Sequence, residues 1–298
     1  MKLLNVAKTI DHEKILEDIS FDLSANEIVG LVGRNGSGKT TLFRTISGQY
    51  YADGGTMEID GKNIEKLPET RQEIFYIDEK ENFLGPYSLK KINEFYRLTY
   101  PRFDQDLFIE LIREHELPYN LSYKRMSKGM QGLFQMILAI CSNATYLLLD
   151  EPFDGLDVIV RKKVIGLLLE NLGESNRTAL IASHNLNELE SIIDRALLLK
   201  GNTISYDYRL EEVRAKSKKL QLVFKTKKVP DIVKQNSKVV DFQGRVVTAL
   251  FENYSTAIEE NIKAEDPLVF EELPLTLEDL FEANLSQESL MKGIGGSK

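Results

Sequence analysis

Three short runs in this sequence bring together residue types that phosphate chemistry needs. The first is Gly33-Arg34-Asn35-Gly36-Ser37-Gly38-Lys39-Thr40, which follows an apolar stretch at residues 28–32 and precedes a helical pattern at 41–47. That order, apolar strand, glycine loop, Lys-Thr, helix, is the spacing of a phosphate-binding loop. Gly33, Gly36 and Gly38 leave room for backbone N–H groups, those of Asn35 and Ser37 included, to converge on phosphate oxygens. The start of the helix adds its positive end. Lys39 then reaches the outer phosphates, the Thr40 hydroxyl suits a magnesium ion, and Thr41 meets the inner phosphate through its N–H or hydroxyl. A plain glycine turn is the competing reading, and the strand-to-helix setting counts against it. The second run is Asp150-Glu151-Pro152, directly after the apolar residues 146–149. Carboxylates at the carboxyl end of a buried strand sit where ligands gather in parallel sheets. Asp150 would hold magnesium through water, Glu151 would orient or deprotonate an attacking water, and Pro152 stops the strand. The third is Ser183-His184 after the apolar residues 179–182. A lone histidine is a weak signal; at the next strand edge it faces the same terminal phosphate.

These groups need elements to hold them. Residues 3–6, 19–23 and 28–32 read as strands, with the polar Ser24-Ala25-Asn26 as a turn, and so predict an antiparallel flap leading into a buried strand. A Gly54-Gly55 turn, a strand at 57–59, an Asp60-Gly61 hairpin signal and a strand at 74–77 follow. From about 85 to 128 the period turns helical, with Phe95, Leu98, Leu107, Phe108, Leu111 and Ile112 spaced for apolar faces and Pro101 and Pro118 as breaks, which predicts a helical subdomain. A helix from near Gly129, strands at 146–149, 179–182 and 196–199, and a helix at 158–171 restore the alternation. Short apolar runs alternating with helices predict a mostly parallel, covered sheet, an α/β fold.

The rhythm breaks near 207. A lysine-rich stretch (Lys216, Lys218, Lys219, Lys225, Lys227, Lys228) gives way to an acidic end from Glu252. Strand patterns at 220–224, 239–242 and 246–251 and helical patterns at 256–262 and 277–284 predict a small α/β accessory domain over 207–290, with 291–298 a disordered tail, after a first domain of 1–206. The lysines alternate with apolar residues and are read as a solvated face, with contact to anionic lipid or to a nucleic acid as the alternatives.

Composition limits the classes. A chain of 298 residues with 42% hydrophobic content can bury one large core and a smaller one. A net charge of -8 argues against a nucleic-acid partner. No stretch reaches the roughly 20 apolar residues of a membrane span, and residues 1–8 lack a signal-peptide core, so a cytosolic location is expected. The one cysteine, Cys141, lies in an apolar helical run, which predicts a packing role and rules out an internal disulfide framework.

Over nearly all of residues 1–206 the motif order resembles that of ATP-binding cassette (ABC) transporter ATP-binding subunits. Met126-Ser127-Lys128-Gly129-Met130-Gln131 looks like the family's signature, Gly155-Leu156-Asp157 like its D-loop, and His184 like its switch histidine. The resemblance implies a P-loop nucleoside triphosphatase cassette: a mostly parallel sheet, an antiparallel flap and a helical subdomain, hydrolysing ATP with Mg2+. It also implies a dimer, in which Ser127 and Gly129 complete the partner copy's phosphate site and Asp157 communicates across the interface. The dimer would be a homodimer or a heterodimer with a related subunit, working on a separate transmembrane permease at the inner face of the membrane. Glu79 occupies the position of the family's metal-linking glutamine, with a surface acidic cluster of Asp78, Glu79 and Glu81 as the alternative. Ile10 stands where an aromatic residue usually stacks on adenine, with His12 the nearest substitute, which predicts weak base selectivity. Lys128 and Met130 replace the signature's first glycine and its glutamine. That Ser-Lys-Gly-Met form is similar to subunits serving bacterial exporters of drugs and peptides of the ABC-2 type, which places the chain as an exporter ATPase. The alternatives are a regulatory cassette with little turnover, against which Glu151 and His184 argue, and an ATPase acting on ribosomes or DNA.

Overall fold

The computed structural model describes residues 1–78, 82–173, 175–226, 228–281 and 283. The chain divides into two compact units, Met1–Asp207 and Tyr208–Lys298.

The first unit opens with β1 (Lys2–Ile10) and β2 (Glu13–Asp22), an antiparallel pair joined by a tight turn at Asp11 and His12. Both turn residues are left-handed, with φ of 49° and 67°. That mirror-image turn matches strand twist, and Asp and His carry it here without the usual glycine. The hairpin is longer than the sequence predicts, because β2 was legible only at its apolar end. After β3 (Ile28–Val32) and α1 (Lys39–Ile46) come β4 (Gly54–Ile59), which joins the flap beside β1, the two-residue β5 (Lys62–Asn63), and β6 (Ile74–Ile77).

The helical segment holds α2 (Leu89–Thr99) and α3 (Gln105–Glu114), each N-capped by an oxygen side chain, Ser88 and Asp104. It leads into α4 (Lys128–Cys141), β7 (Tyr146–Asp150), α5 (Val158–Gly173), β8 (Thr178–Ser183), the single-turn α6 (Leu186–Leu189), β9 (Arg195–Lys200) and β10 (Thr203–Arg209). The sheet order is β10-β9-β3-β8-β7-β6, with β9, β3, β8, β7 and β6 running parallel. Every residue of β3 and β8 is buried. Covering both faces is what makes these strands read as unbroken apolar runs. The α/β fold with its antiparallel flap is thus as expected, whereas α6 and β10 carried too little period to be seen.

The second unit contains α7 (Leu210–Lys216), β11 (Lys218–Val223), α8 (Asp231–Asn236), β12 (Lys238–Gln243), β13 (Val246–Phe251), α9 (Thr256–Ala264) and β14 (Val269–Leu273). Its sheet is antiparallel throughout, in the order β12-β13-β11-β14. Strand, helix, two strands, helix, strand in this order is the ferredoxin-like arrangement. Leu220, Leu222, Val247, Ala249 and Phe251 from the sheet, with Phe224 just past β11, close its core against Val233 of α8 and Ile262 of α9. Residues 277–281 are helical; Asn284 and the tail at 291–298 lie outside the described residues, as does Lys227. The lysine-rich stretch has carboxylate partners: Lys218 meets Glu272, Lys219 meets Asp279 and Lys225 meets Asp266.

Candidate functional site

The glycine loop runs from the end of β3 into α1. Gly36 and Gly38 have φ of 80° and 102°, backbone that side chains rarely adopt. At Gly38 a Cβ would also press within 3.1 Å of the Ile15 carbonyl oxygen, and at Gly33 within 2.7 Å of the Leu199 carbonyl oxygen. The loop borders a cavity of about 740 Å³ lined by Asn35, Ser37, Lys39, Thr40, Thr41, Asp150, Glu151 and His184 among others. Lys39 folds over its own loop, donating to the carbonyls of Gly33 at 2.8 Å and Arg34 at 3.5 Å, with Glu151 at 3.9 Å. Burial holds its pKa below the ordinary lysine value, against the upward pull of Glu151 and Asp150. The Ser37 hydroxyl is buried and has no hydrogen-bond partner among the described residues. A cationic head and an unspent hydroxyl beside converging N–H groups fit a polyphosphate.

Thr40 and Asp150 come together from α1 and β7, the Thr40 hydroxyl donating to Asp150 Oδ2 at 2.8 Å. Burial pushes the Asp150 carboxyl up to about 6, with Thr40 pulling the other way and Glu151 and Asp78 adding to the rise. An alcohol and a carboxylate are hard oxygen donors, and both line the cavity. Among the described residues no three His, Cys, Asp or Glu form a metal cage by themselves. The pair fits Mg2+, which characteristically takes one or two protein oxygens and completes its shell with phosphate and water. Glu79, the third metal candidate, lies outside the described residues.

Glu151 leaves the strand in the left-handed region, φ 48°, while its N–H still donates to the Ala182 carbonyl at 2.9 Å. Its Oε2 meets His184 at Nδ1, 3.0 Å, and at the backbone N–H, 3.3 Å. Carboxylate and imidazole thus reach the cavity as a contacting pair from neighbouring strands. Non-glycine residues in this conformation cost of order 1 kcal/mol and cluster at functional sites.

Ser127, Gly129 and Asp157 lie elsewhere, around a separate depression of about 530 Å³. Ser127 is the N-cap of α4, its oxygen accepting from the Met130 N–H at 3.2 Å. Asp157 Oδ1 accepts from the N–H groups of Ile159 and Val160 at 2.9 Å and so caps α5. The structure therefore brings Lys39, Thr40, Asp150, Glu151 and His184 into one cavity and leaves the signature residues outside it.

Some cavity residues were not singled out from sequence. Ile10 lines the cavity as expected, but its apolar companion is Ile15, across the turn, and His12 is not in the lining. Arg44 and Asp78 also face the cavity. Asp78 is only 3% exposed, which corrects the view of it as part of a surface acidic cluster. The signal for it was the register of β6 on β7: Ile77 pairs with Leu149, so Asp78 emerges beside Asp150.

A glycine loop between strand and helix, a paired Thr and Asp and a Glu-His couple at adjoining strand ends define a P-loop nucleoside triphosphatase. Residues 16–154 match the ABC transporter family. Over 283 residues the chain is 33% identical to the ABC transporter ATP-binding protein YtrB of Bacillus subtilis, covering 95% of this chain and 97% of that one. It is 31% identical over 286 residues to an uncharacterized ABC transporter ATP-binding protein of Methanocaldococcus jannaschii, covering 94% and 97%. The lipopolysaccharide export system ATP-binding protein LptB of Haemophilus influenzae shares 31% over 217 residues, 67% of this chain and 86% of that one. Among solved structures, a post-hydrolysis cassette dimer bound to ADP and phosphate matches the fold with a TM-score of 0.62 at 22% identity, over 70% of this chain and 98% of that one. The chain belongs to the ABC transporter ATP-binding proteins. It is an ABC-type ATPase, using ATP with Mg2+.

Proposed function

We propose that this chain is the ATPase subunit of a membrane exporter of peptides or drugs, working as a head-to-tail pair. The observation that carries this reading is the separation of two half-sites: phosphate loop and carboxylates line one cavity, while Ser127, Gly129 and Asp157 border another. A second copy turned through a two-fold axis would bring its Ser127 hydroxyl, which accepts from Met130 and keeps its proton to donate, and its Gly129 N–H onto the terminal phosphate. Lys39 then exchanges the Gly33 carbonyl for phosphate oxygens. Thr40 and Asp150 are the residues that would hold Mg2+, and the ion would neutralise charge on the phosphates. Glu151 takes the proton of the attacking water, and His184 orients the Glu151 carboxylate and the terminal phosphate. The water oxygen bonds to the γ-phosphorus as the bond to ADP breaks.

Coupling to a permease is supported by exposed apolar side chains on and before α2. Phe83, Tyr87 and Phe95 form edge-to-face ring contacts, and Leu98 is 82% exposed. Apolar patches of this kind mark protein contacts. No helix among the described residues is long and apolar enough to cross a membrane, so the channel would be a separate subunit at whose inner face this chain sits. Outward transport of peptides or drugs rests on the Ser127-Lys128-Gly129-Met130 form of the signature.

The test is phosphate release in Mg-ATP across protein concentrations, with Glu151→Gln beside it. Turnover should rise faster than linearly with concentration, and Glu151→Gln should lose at least about 100-fold in rate while binding ATP and accumulating as a dimer. Linear turnover, or a variant that stays monomeric with ATP, sinks the paired mechanism. Purification of the chain with a hydrophobic polytopic protein is the expected outcome for the exporter; ribosomes or DNA in its place overturn it.

A further inference from the structure

Lys128 is the first residue of α4, between Ser127, which caps the helix, and Gly129. It is exposed, and it borders the same depression of about 530 Å³ as those two residues. A helix begins at the positive end of its dipole, so its first turn favours acidic side chains and disfavours a cation. α4 has no acidic residue in that turn. The helix itself gains nothing from a lysine at this place, whereas an anion brought to the depression would.

The nucleotide cavity is short of positive charge. Its described lining carries six carboxylates, those of Asp11, Glu13, Asp78, Asp150, Glu151 and Asp154, against two cations, Lys39 and Arg44. Arg44 donates to Asp78 at 2.7 Å, which leaves Lys39 as the lining cation that turns to the phosphates. A nucleoside triphosphate adds negative charge to this acidic wall, and during transfer the charge spreads over the outer phosphate oxygens. Positive groups aimed at those oxygens are among the strongest means of lowering such a barrier. Lys128 cannot meet the nucleotide of its own chain from where it stands. Beside Asp150, Glu151 and Asp154 it edges only a cleft of about 40 Å³, room for water and not for a triphosphate. The open depression is the side that the proposed pair turns toward the other copy's cavity.

We infer that Lys128 is a catalytic cation supplied in trans: in a pair of copies, its ammonium donates to oxygens of the terminal phosphate bound by the other copy. The inference rests on the head-to-tail pair proposed above. Lys128 keeps its proton and forms no bond to phosphorus; it stabilises the charge that builds on the phosphate oxygens as water attacks. Lysine suits this task, because its ammonium is a compact point charge with three donors on a flexible stem.

The experiment is phosphate release from Mg-ATP by the full chain, in steady state for each variant and in a single turnover for a mixture of two. Lys128→Gln should lower kcat at least about tenfold with KM within about threefold, since the contact is to charge that develops in the transition state. Lys128→Arg should keep most of the rate, and Lys128→Glu should lose more than Lys128→Gln. Lys163→Ala takes an exposed cation from the rim of the same depression, on α5, and should stay within about twofold of the parent. Lys128→Gln should melt no lower than the parent, because it relieves the start of α4 of a cation; should it fold poorly, Lys128→Ala, a better helix former, replaces it.

An equal mixture of Lys128→Gln and Glu151→Gln, made before ATP is added, decides where the lysine acts. A mixed pair has one site with Glu151 from one chain and Lys128 from the other. A fast phase absent from both variants alone should therefore return, with an amplitude of about one phosphate per four chains when pairing is random. No fast phase, with parental turnover still rising faster than linearly with concentration, overturns the role in trans and leaves the pair standing. Linear parental turnover with Glu151→Gln remaining monomeric brings down the pair itself, and this inference with it. Equal losses in Lys128→Gln and Lys163→Ala reduce the effect to net charge and overturn it as well.

Discussion

At the residue scale, Ile10 and Ile15 line the cavity with Asp11 and Glu13, and on the function proposed above they would form the wall that meets the base. Aliphatic side chains contact any purine by area and have no ring to stack on it and no donor pattern to read its edge. GTP should therefore be hydrolysed at a kcat/KM within about tenfold of that for ATP; competition kinetics showing a much larger preference would mean that another group reads the base. Asp150 supports a prediction of opposite signs. Its carboxyl is held at about 6, above the ordinary aspartate value, so the protonated form suits the metal-free fold. That contribution is present at low pH and is lost as pH rises through about 6. At neutral pH the buried charge is a cost, and Asp150→Asn should raise the melting temperature of the nucleotide-free chain by about 2–4 °C, equivalent to about 1 kcal/mol. The same substitution should abolish Mg2+-dependent turnover. A melting temperature that falls at pH 7.5 would show that the carboxylate is satisfied without metal.

At the scale of elements, the phosphate loop, the two carboxylates and the histidine were legible because each is a local run of residues at a strand end. Asp78 and Ile15 were not, because only the register of β6 on β7 and the hairpin of β1 and β2 bring them to the cavity; Arg44 lies on α1 itself, one turn past Thr40. Regular periods were legible too, β13 in full and α5 nearly so, whereas α6, α8 and β14 were lost among charged residues. Helix α4 shows how burial settles a chemical question. From Leu133 to Cys141 nearly every residue is buried, and its last carbonyls, Ala139 and Ile140, accept from the buried Arg177 guanidinium. Those bonds satisfy groups that a helix end leaves open. Burial pushes the Cys141 thiol well above the ordinary cysteine range. The chain should give no reaction with Ellman's reagent at pH 8 while folded, and one thiol per chain in guanidinium. Prompt labelling of the native protein would mean that α4 opens readily.

At the scale of the molecule, each of the two compact units has a buried apolar cluster of its own, and the units should fail separately. Phe251 is fully buried in the second, against the strands and helices of residues 208–298. Phe251→Ala should cost that unit about 3–5 kcal/mol. Mg-ATP binding, built wholly from residues 1–207, should keep its affinity within about twofold by titration. Loss of binding in a variant with an intact first unit would show that the second unit sets the shape of the nucleotide cavity.

The order in which the ribosome releases the chain meets this architecture in a particular way. β3, which ends at Val32 and carries the phosphate loop, pairs with β8 and β9, which are complete only once Ser183 and Lys200 have been added. β11 likewise waits between β13 and β14, the last of which ends at Leu273. In each of these two sheets the first strand made is the one whose partners lie farthest along the chain, and such distant pairings form slowly. The glycine loop is thus among the first parts synthesised and among the last to take shape. Until then the apolar strand β3 is exposed in the nascent chain and depends on whatever shields it there.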